Sequence, residues 1–308
     1  MALRVLRPGT LATLQGAPRR GLRHQGIPAS GPADPLSMAL ANRLVSNAPG
    51  AAAIEITFGG AGFEFRQDTA FAFAGADSEA ELAGAAVSGH ETLQAKRGDV
   101  LDFAHPAAGT RTYLAIPGGF QADEMFGSAS TFLPAGFGGF SGRALRAGDE
   151  LRGAGDAAVA RLSTPLRLRP HTARAHSLRA VPGPDFDVVG EGVWRETFEA
   201  TRRMDRTGIE FSGAWPRPED GAQRPSAALF TGAVQLTPSG TAYVLLPDAQ
   251  TTGGYPHVLQ VIRADRHLLG QIAPGDRAGF LRRSVDEAYG DLKAKAAYFA
   301  DWLPGFGF

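Results

Sequence analysis

Glycine and proline punctuation constrains this chain more than any other feature. Forty glycines and 21 prolines in 308 residues leave few stretches long enough for helices, because proline lacks the amide proton and glycine loses excess entropy inside an element. The apolar pieces between them are short, which predicts strands joined by turns. Strands are expected at 70–74, 100–103, 112–116, 232–236, 242–246 and 258–262. The pairs Gly98-Asp99, Gly148-Asp149 and Gly275-Asp276 each adjoin an expected strand and supply the tolerance of positive φ that a tight turn needs. Two similar β units follow, with boundaries expected at 1–160 and 161–308, and the Ala- and Arg-rich stretch 152–174 reads as the crossover between them.

Helix signals are few. Asp34 followed by Pro35 gives an N-cap and a first-turn proline, with Leu36, Leu40, Leu44 and Val45 on one face up to Asn47. A second helix is expected from Ser284, where Ser284 and Glu287 have capping-box spacing ahead of Ala288, Leu292 and Tyr298.

Charge and cysteine content narrow the function. Lys plus Arg equals Asp plus Glu at 31 each, which argues against a general nucleic-acid or anionic-membrane binder and favours a small-molecule or protein partner. No cysteine is present, so disulfides, thiolate catalysis and cysteine-ligated metals are excluded. The N-terminus lacks the pattern of a secretion signal and no apolar run reaches membrane-spanning length, so a cytoplasmic location is expected. The histidines form no H-x-H, H-E-x-x-H or i,i+4 pair, and no metal site is expected. The signatures of serine hydrolases, phosphate loops and dinucleotide folds are missing too.

Three segments carry directional polar groups. Residues 15–34 are glycine-rich, hold an arginine pair and run into the Asp34 cap, a composition suited to an anion or carboxylate. Residues 110–119 end a strand in Pro-Gly-Gly, and Gly127-Ser128-Ala129-Ser130-Thr131 and Gly136-Phe137-Gly138-Gly139 follow; such turns can offer backbone amides and hydroxyls to oxygens. Residues 248–256, Asp-Ala-Gln-Thr-Thr-Gly-Gly-Tyr-Pro, place a carboxylate, a carboxamide, two hydroxyls and a phenol around two glycines.

Taken together these segments resemble the biotin-dependent carboxyltransferase A/B subdomain family, which includes the C subunit of bacterial 5-oxoprolinase, allophanate hydrolase subunit 2 and the corresponding part of urea carboxylase. The likeness is carried by Arg23-His24-Gln25-Gly26-Ile27-Pro28-Ala29-Ser30-Gly31, Ala41-Asn42-Arg43-Leu44-Val45-Ser46-Asn47, Tyr113 through Gly119, Gly127 through Thr131, Gly232-Ala233-Val234-Gln235 and Asp248 through Pro256. Two departures stand out: Pro18 replaces a glycine before Arg19, and Thr207 takes the place of a methionine.

The resemblance implies a mainly β protein of two cyclophilin-like barrels with a few short helices, and a site in the cleft between them. It implies partners as well: a B subunit resembling the C/D half of the carboxyltransferase module and a lactam-utilisation A subunit. The implied activity is ATP-dependent opening of the lactam of 5-oxo-L-proline to L-glutamate, with ATP used by the complex. Alternatives are a carboxyltransferase acting on urea or a related amide, with biotin borne by a partner, and a regulatory protein that antagonises a kinase inhibitor. On the lactam reading Arg19, His24 and Arg206 would hold carboxylate or phosphoryl oxygens, and Ser30 would also bind substrate. Gln235, Gln250, Thr252 and Tyr255 would read the amide edge, Gly253 and Gly254 would offer backbone donors, and Asp248 is either a general base or the residue that orients one.

Overall fold

A computed structural model describes residues 2–155, 159–216 and 224–308. It is mainly β, with 37% strand and 16% helix, as the punctuation predicts. The chain forms two compact units. The first comprises Met1–Arg19, Ser30–Thr172 and Phe299–Gly307, and the second Arg20–Ala29, Ala173–Tyr298 and Phe308. Of the expected crossover 152–174, residues 156–158 lie outside the described residues, and 166–168 form a 3₁₀ turn.

The first unit holds β1 (Leu3–Pro8), β2 (Leu11–Gln15), β3 (Ala53–Thr57), β4 (Ala61–Phe65), β5 (Thr69–Asp77) and β6 (Ala80–Leu82). It continues with β7 (Ala85–Val87), β8 (Leu93–Ala95), β9 (Val100–Phe103), β10 (Ala108–Ala115) and β11 (Glu150–Leu151). These form a six-stranded sheet in the order β11-β1-β4-β9-β6-β7 and a five-stranded sheet in the order β2-β3-β10-β5-β8. Both sheets feed one core, in which Leu3, Val5, Phe63 and Leu101 from one meet Leu14, Ile54, Phe71 and Leu114 from the other. The rings of Phe73 and Phe103 meet edge to face at 5.1 Å, the geometry that suits their quadrupoles.

Helix α1 (Pro35–Leu44) packs against β3, β5 and β10. Its start follows the sequence: Asp34 accepts the Ser37 amide at 3.0 Å and Pro35 sits in the first turn. Its end does not, because the helix stops at Leu44 rather than running to Asn47. Ser46 adopts a left-handed φ of 59°, and Asn47 is recruited elsewhere. Its amide donates to Asn42 Oδ1 at 2.9 Å and to the Ile116 carbonyl at 2.8 Å, while its Oδ1 accepts the Gly118 amide at 2.7 Å. The helix is buried on almost every side rather than on one face.

The second unit is a closed seven-stranded barrel. Its strands are β12 (Ala175–Pro182), β13 (Thr197–Met204), β14 (Gly208–Ser212), β16 (Ala233–Leu236), β17 (Ala242–Leu245), β19 (His257–Val261) and β20 (Arg277–Arg282), while β15 (Ala227–Ala228) and β18 (Thr252–Gly253) form a separate two-stranded ribbon. The barrel order is β12-β19-β16-β17-β14-β13-β20, closed by the parallel pairing of β12 with β20. Trp215 stacks on Phe198 at 3.7 Å between ring centres inside its core. A short helix, α2 (Arg266–Leu269), follows β19. Helix α3 (Val285–Phe299) opens with the expected capping box: Ser284 Oγ accepts the Glu287 amide at 3.2 Å and Glu287 accepts the Ser284 amide at 2.7 Å.

The three Gly-Asp pairs are one device used three times. Gly98, Gly148 and Gly275 have φ of 91°, 90° and 85°, values that favour glycine. The following Asp99, Asp149 and Asp276 each accept, through a carboxylate oxygen, the amide of the residue three before, Lys96, Arg146 and Ala273, at 2.8, 2.7 and 2.9 Å. Each turn leads directly into a strand, β9, β11 and β20. Among the described residues no helix is long and apolar enough to cross a membrane.

Candidate functional site

In the second unit β17 delivers the chain to Asp248, and a buried ion pair fixes it there. Arg206 Nε and Nη2 donate to Asp248 Oδ2 and Oδ1 at 2.7 and 3.2 Å, with side chains only 4% and 1% exposed. The Asp248 amide also donates to the Arg206 carbonyl at 3.0 Å. A carboxylate with both oxygens engaged by one planar fork is an anchor. Of the two roles open to Asp248, orientation fits this geometry and proton abstraction does not.

Beyond this anchor the loop is stitched to its neighbours. Buried Gln235 donates through Nε2 to the Tyr255 carbonyl at 3.0 Å and accepts Gln250 Nε2 at 3.4 Å. A register shift between Val234 and Gln235 in the β16–β19 pairing turns this strand locally, a common way to aim a side chain. β18 pairs with β15, and the Leu229 amide donates to the Thr251 carbonyl at 2.9 Å. The Leu229 carbonyl in turn accepts Arg23 Nη2.

Gly253 and Gly254 are explained by close approach rather than by positive φ. A Cβ on Gly253 would lie 2.6 Å from Leu229 Cδ1 and 3.1 Å from Gln235 Nε2, and one on Gly254 would lie 2.7 Å from the Arg224 carbonyl oxygen. What remains in solvent is a neutral, directional set, namely the Gln250 carboxamide, the Thr252 hydroxyl and the Tyr255 phenol. His257, just beyond, keeps Nε2 buried without a hydrogen bond among the described residues, and burial lowers its pKa, so it is neutral near pH 7. His24, also in this unit, is exposed and lies 3.3 Å from the Gln25 amide.

The first unit carries Arg19 and Ser30. Arg19 is buried: Nε donates to the Met125 carbonyl at 3.2 Å, Nη2 donates to the Ser130 carbonyl, and the guanidinium lies 4.7 Å from the centre of the Phe137 ring. It braces the glycine-rich segment 125–138, aided by Ser130 Oγ, which accepts the Gly16 amide at 3.0 Å. Ser30 is also buried, at a left-handed φ of 51°, and its Oγ has no hydrogen-bond partner among the described residues. An orphaned buried hydroxyl is unusual and marks a place where a ligand oxygen or nitrogen can be satisfied.

Sequence reasoning passed over the group that holds this loop. Glu55 Oε2 accepts the Ala33 amide at 2.9 Å and the Tyr113 hydroxyl at 2.7 Å, and that hydroxyl accepts the Asp34 amide at 2.8 Å. Arg111 Nε lies 3.7 Å from Glu55 Oε1, with both side chains 1% exposed. Burial, reinforced by the negative charges of Glu55 and Asp34, pushes the Tyr113 phenol well above its usual pKa, so it stays a hydrogen-bond donor. A signal existed: an acid flanked by Ile54 and Ile56 in strand 53–57, with Arg111 and Tyr113 two apart on one face of β10.

Two compact β units, with polar glycine loops held by buried acid-centred anchors, define the class. Residues 25–282 match the family model described as carboxyltransferase domain, subdomain A and B, and the chain belongs to that family. It is 35% identical to the C subunit of 5-oxoprolinase from Escherichia coli (strain K12), over 96% of this chain and 96% of that protein. Against urea amidolyase of Lachancea kluyveri it is 30% identical over 93% of its length, spanning 17% of the larger protein. The crystal structure of K. lactis urea amidolyase superposes with a TM-score of 0.91 at 28% identity, covering 98% of this chain and 20% of that one.

Proposed function

We propose that this chain is the C subunit of an ATP-dependent 5-oxoprolinase, acting in the cytoplasm with a B subunit and a lactam-utilisation A subunit to open 5-oxo-L-proline to L-glutamate. One observation carries the reading: the 35% identity to the 5-oxoprolinase relative runs end to end, over 96% of both chains. The likeness to urea amidolyase is lower and occupies only 17% of that protein, which makes transfer of a carboxyl group to urea the weaker reading.

A lactam resists hydrolysis because its nitrogen lone pair is delocalised into the carbonyl. ATP, consumed by the assembly, would activate the amide oxygen by phosphoryl transfer with release of ADP, after which water would add at the carbonyl carbon, the C–N bond would break and phosphate would leave. The exposed groups of residues 248–256 are neutral amide, hydroxyl and phenol donors; these suit the N–H and C=O of a planar amide rather than a triphosphate. On this reading Gln250, Thr252 and Tyr255 grip the lactam edge, Gln235 sets Gln250 and the Tyr255 backbone, and the Arg206–Asp248 pair holds the loop. His24, in the same unit, offers a further donor to the substrate carboxylate, and in the first unit Arg19 acts by bracing segment 125–138.

The test is ATP-dependent glutamate formation from 5-oxoproline by the reconstituted assembly. Omitting this chain should abolish it, and full activity without the chain would overturn the reading. With the wild-type assembly active, Gln250→Ala should slow turnover about 100-fold, the loss typical of one donor aimed at developing charge, on the order of 3 kcal/mol. Unchanged turnover in that variant would remove residues 248–256 from the site while leaving the assignment of the chain intact.

A further inference from the structure

In the second unit Arg23, Arg263 and Arg266 share one neighbourhood in which, among the described residues, no Asp or Glu side chain pairs with them. Arg179, Arg203, Arg206, Arg282 and Arg283 each pair with an Asp or Glu, whereas Arg23, Arg263 and Arg266 pair with neither among the described residues. Backbone contacts bring the three into one neighbourhood. Arg23 donates to the Leu229 carbonyl and lies 5.2 Å from the centre of the Phe230 ring, which holds it at the turn 229–232. That turn is bonded to the end of β19: the Thr231 carbonyl accepts Gln260 Nε2 at 3.0 Å and the Gly232 carbonyl accepts the Val261 amide at 2.8 Å. Two residues beyond Val261, Arg263 begins a 3₁₀ turn, and Arg266 begins α2.

The acid within this stretch faces another way. Asp265 is occupied by Arg179, whose Nη2 and Nε approach its two oxygens at 2.5 and 2.9 Å, with Lys295 at 3.9 Å. Arg263 Nε donates to a main-chain oxygen of Phe308. Arg266 leaves its buried Nε without a hydrogen bond among the described residues. A buried guanidinium N–H without an acceptor is costly, and like charges beside it add to the cost. An anion among the three offsets both.

We propose that Arg23, Arg263 and Arg266 form a binding site for a phosphate-class oxyanion. Three forks carrying three positive charges match a tetrahedral dianion, whereas a carboxylate satisfies only one fork. Burial, and then the charges of Arg263 and Arg23, push Arg266 down to about 10, so it remains cationic at neutral pH. None of the three belongs to the amide-reading set, so the site stands or falls independently of the 5-oxoprolinase reading. Leu229 links the two places, with its amide on Thr251 and its carbonyl on Arg23.

The test is calorimetric titration of the full chain with inorganic phosphate at constant ionic strength, with chloride as the reference and ADP as a second ligand. Phosphate should bind at one site, and Arg266→Gln and Arg263→Gln should each weaken it by about tenfold or more, the loss of one charge-assisted bond. Arg203→Gln, which removes an exposed arginine already paired with Glu210, should leave the affinity essentially unchanged. Phosphate should also raise the thermal midpoint of the wild type but not of Arg266→Gln. The unliganded midpoint of that variant should equal or exceed the wild-type value, which separates lost binding from lost folding. Tighter binding of ADP, lost in the same variants, assigns the phosphoryl group of a nucleotide, and weaker binding assigns free phosphate; both support the site. No phosphate binding beyond that of chloride, wild-type affinity in Arg266→Gln, or an equal loss in Arg203→Gln would overturn it.

Discussion

In the first unit the loop at 30–35 hangs from a carboxylate that collects a phenol and a backbone amide, with Arg111 at 3.7 Å from its other oxygen. In the second, residues 248–256 start from a carboxylate gripped by one guanidinium through two bonds. Both anchors are buried acids, yet their charges are compensated differently. The first shares its load between the Arg111 cation and two neutral donors, so losing one donor leaves the others in place. The second relies on one cation, and removing it strands a full negative charge in the interior.

The largest test of this contrast is Arg206→Ala. It should destabilise the second unit by about 3 to 5 kcal/mol, followed in urea through the fluorescence of Trp194 and Trp215, both packed in that unit's core. Replacing both partners, Arg206→Met with Asp248→Leu, should recover most of the loss, since the stranded charge is gone. A double variant as unstable as the single one would show that packing, not charge, sets the cost.

Next comes acid. Burial, and then the charge of Arg169, lowers His90 from 6.5 to about 4. A depressed histidine pKa means that the unfolded chain takes up a proton first as pH falls. The stabilisation is therefore complete above about pH 6.5 and drains away as pH drops toward 4, to a limit of about 3 kcal/mol. His90→Asn, chosen because His90 sits at a φ of 65° that Asn tolerates, should flatten the first unit's stability between pH 7 and 4.5. In the second unit His257 and His267 are lowered by burial as well, so its own acid sensitivity should persist in that variant.

Smaller effects probe the distributed anchor and the helix ends. Tyr113→Phe removes the hydroxyl between Glu55 and the Asp34 amide and should cost about 1 to 3 kcal/mol in the first unit, measured by denaturant unfolding. Ser284→Ala, at the exposed capping box of α3, should cost about 1 kcal/mol, visible as a small drop in thermal midpoint. A Tyr113→Phe penalty as large as that of Arg206→Ala would erase the difference between the two anchors.

Much of the local structure was legible because it is decided by neighbours in the chain. The strand expected at 100–103 is β9 to the residue, those around 70–74 and 242–246 lie on β5 and β17, and both helix starts use the caps their sequences offer. What could not be read depends on partners far apart in sequence: Arg206 and Asp248 are 42 residues apart, and Glu55 and Tyr113 are 58. Gly253 and Gly254 looked like openings for a ligand. Their space is set instead by Leu229, Gln235 and Arg224, contacts that no local pattern encodes. The helix end at Leu44 was missed for the same reason, since Asn47 is claimed by the turn at 116–118.

The make-up of the first unit, which includes Phe299–Gly307 as well as the early residues, bears on how the protein is born. Leu303 is buried and the Trp302 carbonyl accepts Arg43 Nε at 3.0 Å, so this late piece is part of the unit's finished packing. A ribosome releases it only after the whole barrel of the second unit has been synthesised. The first unit thus waits, partly assembled, through the translation of the second, and a message cut short after codon 172 yields a nascent chain without its closing segment.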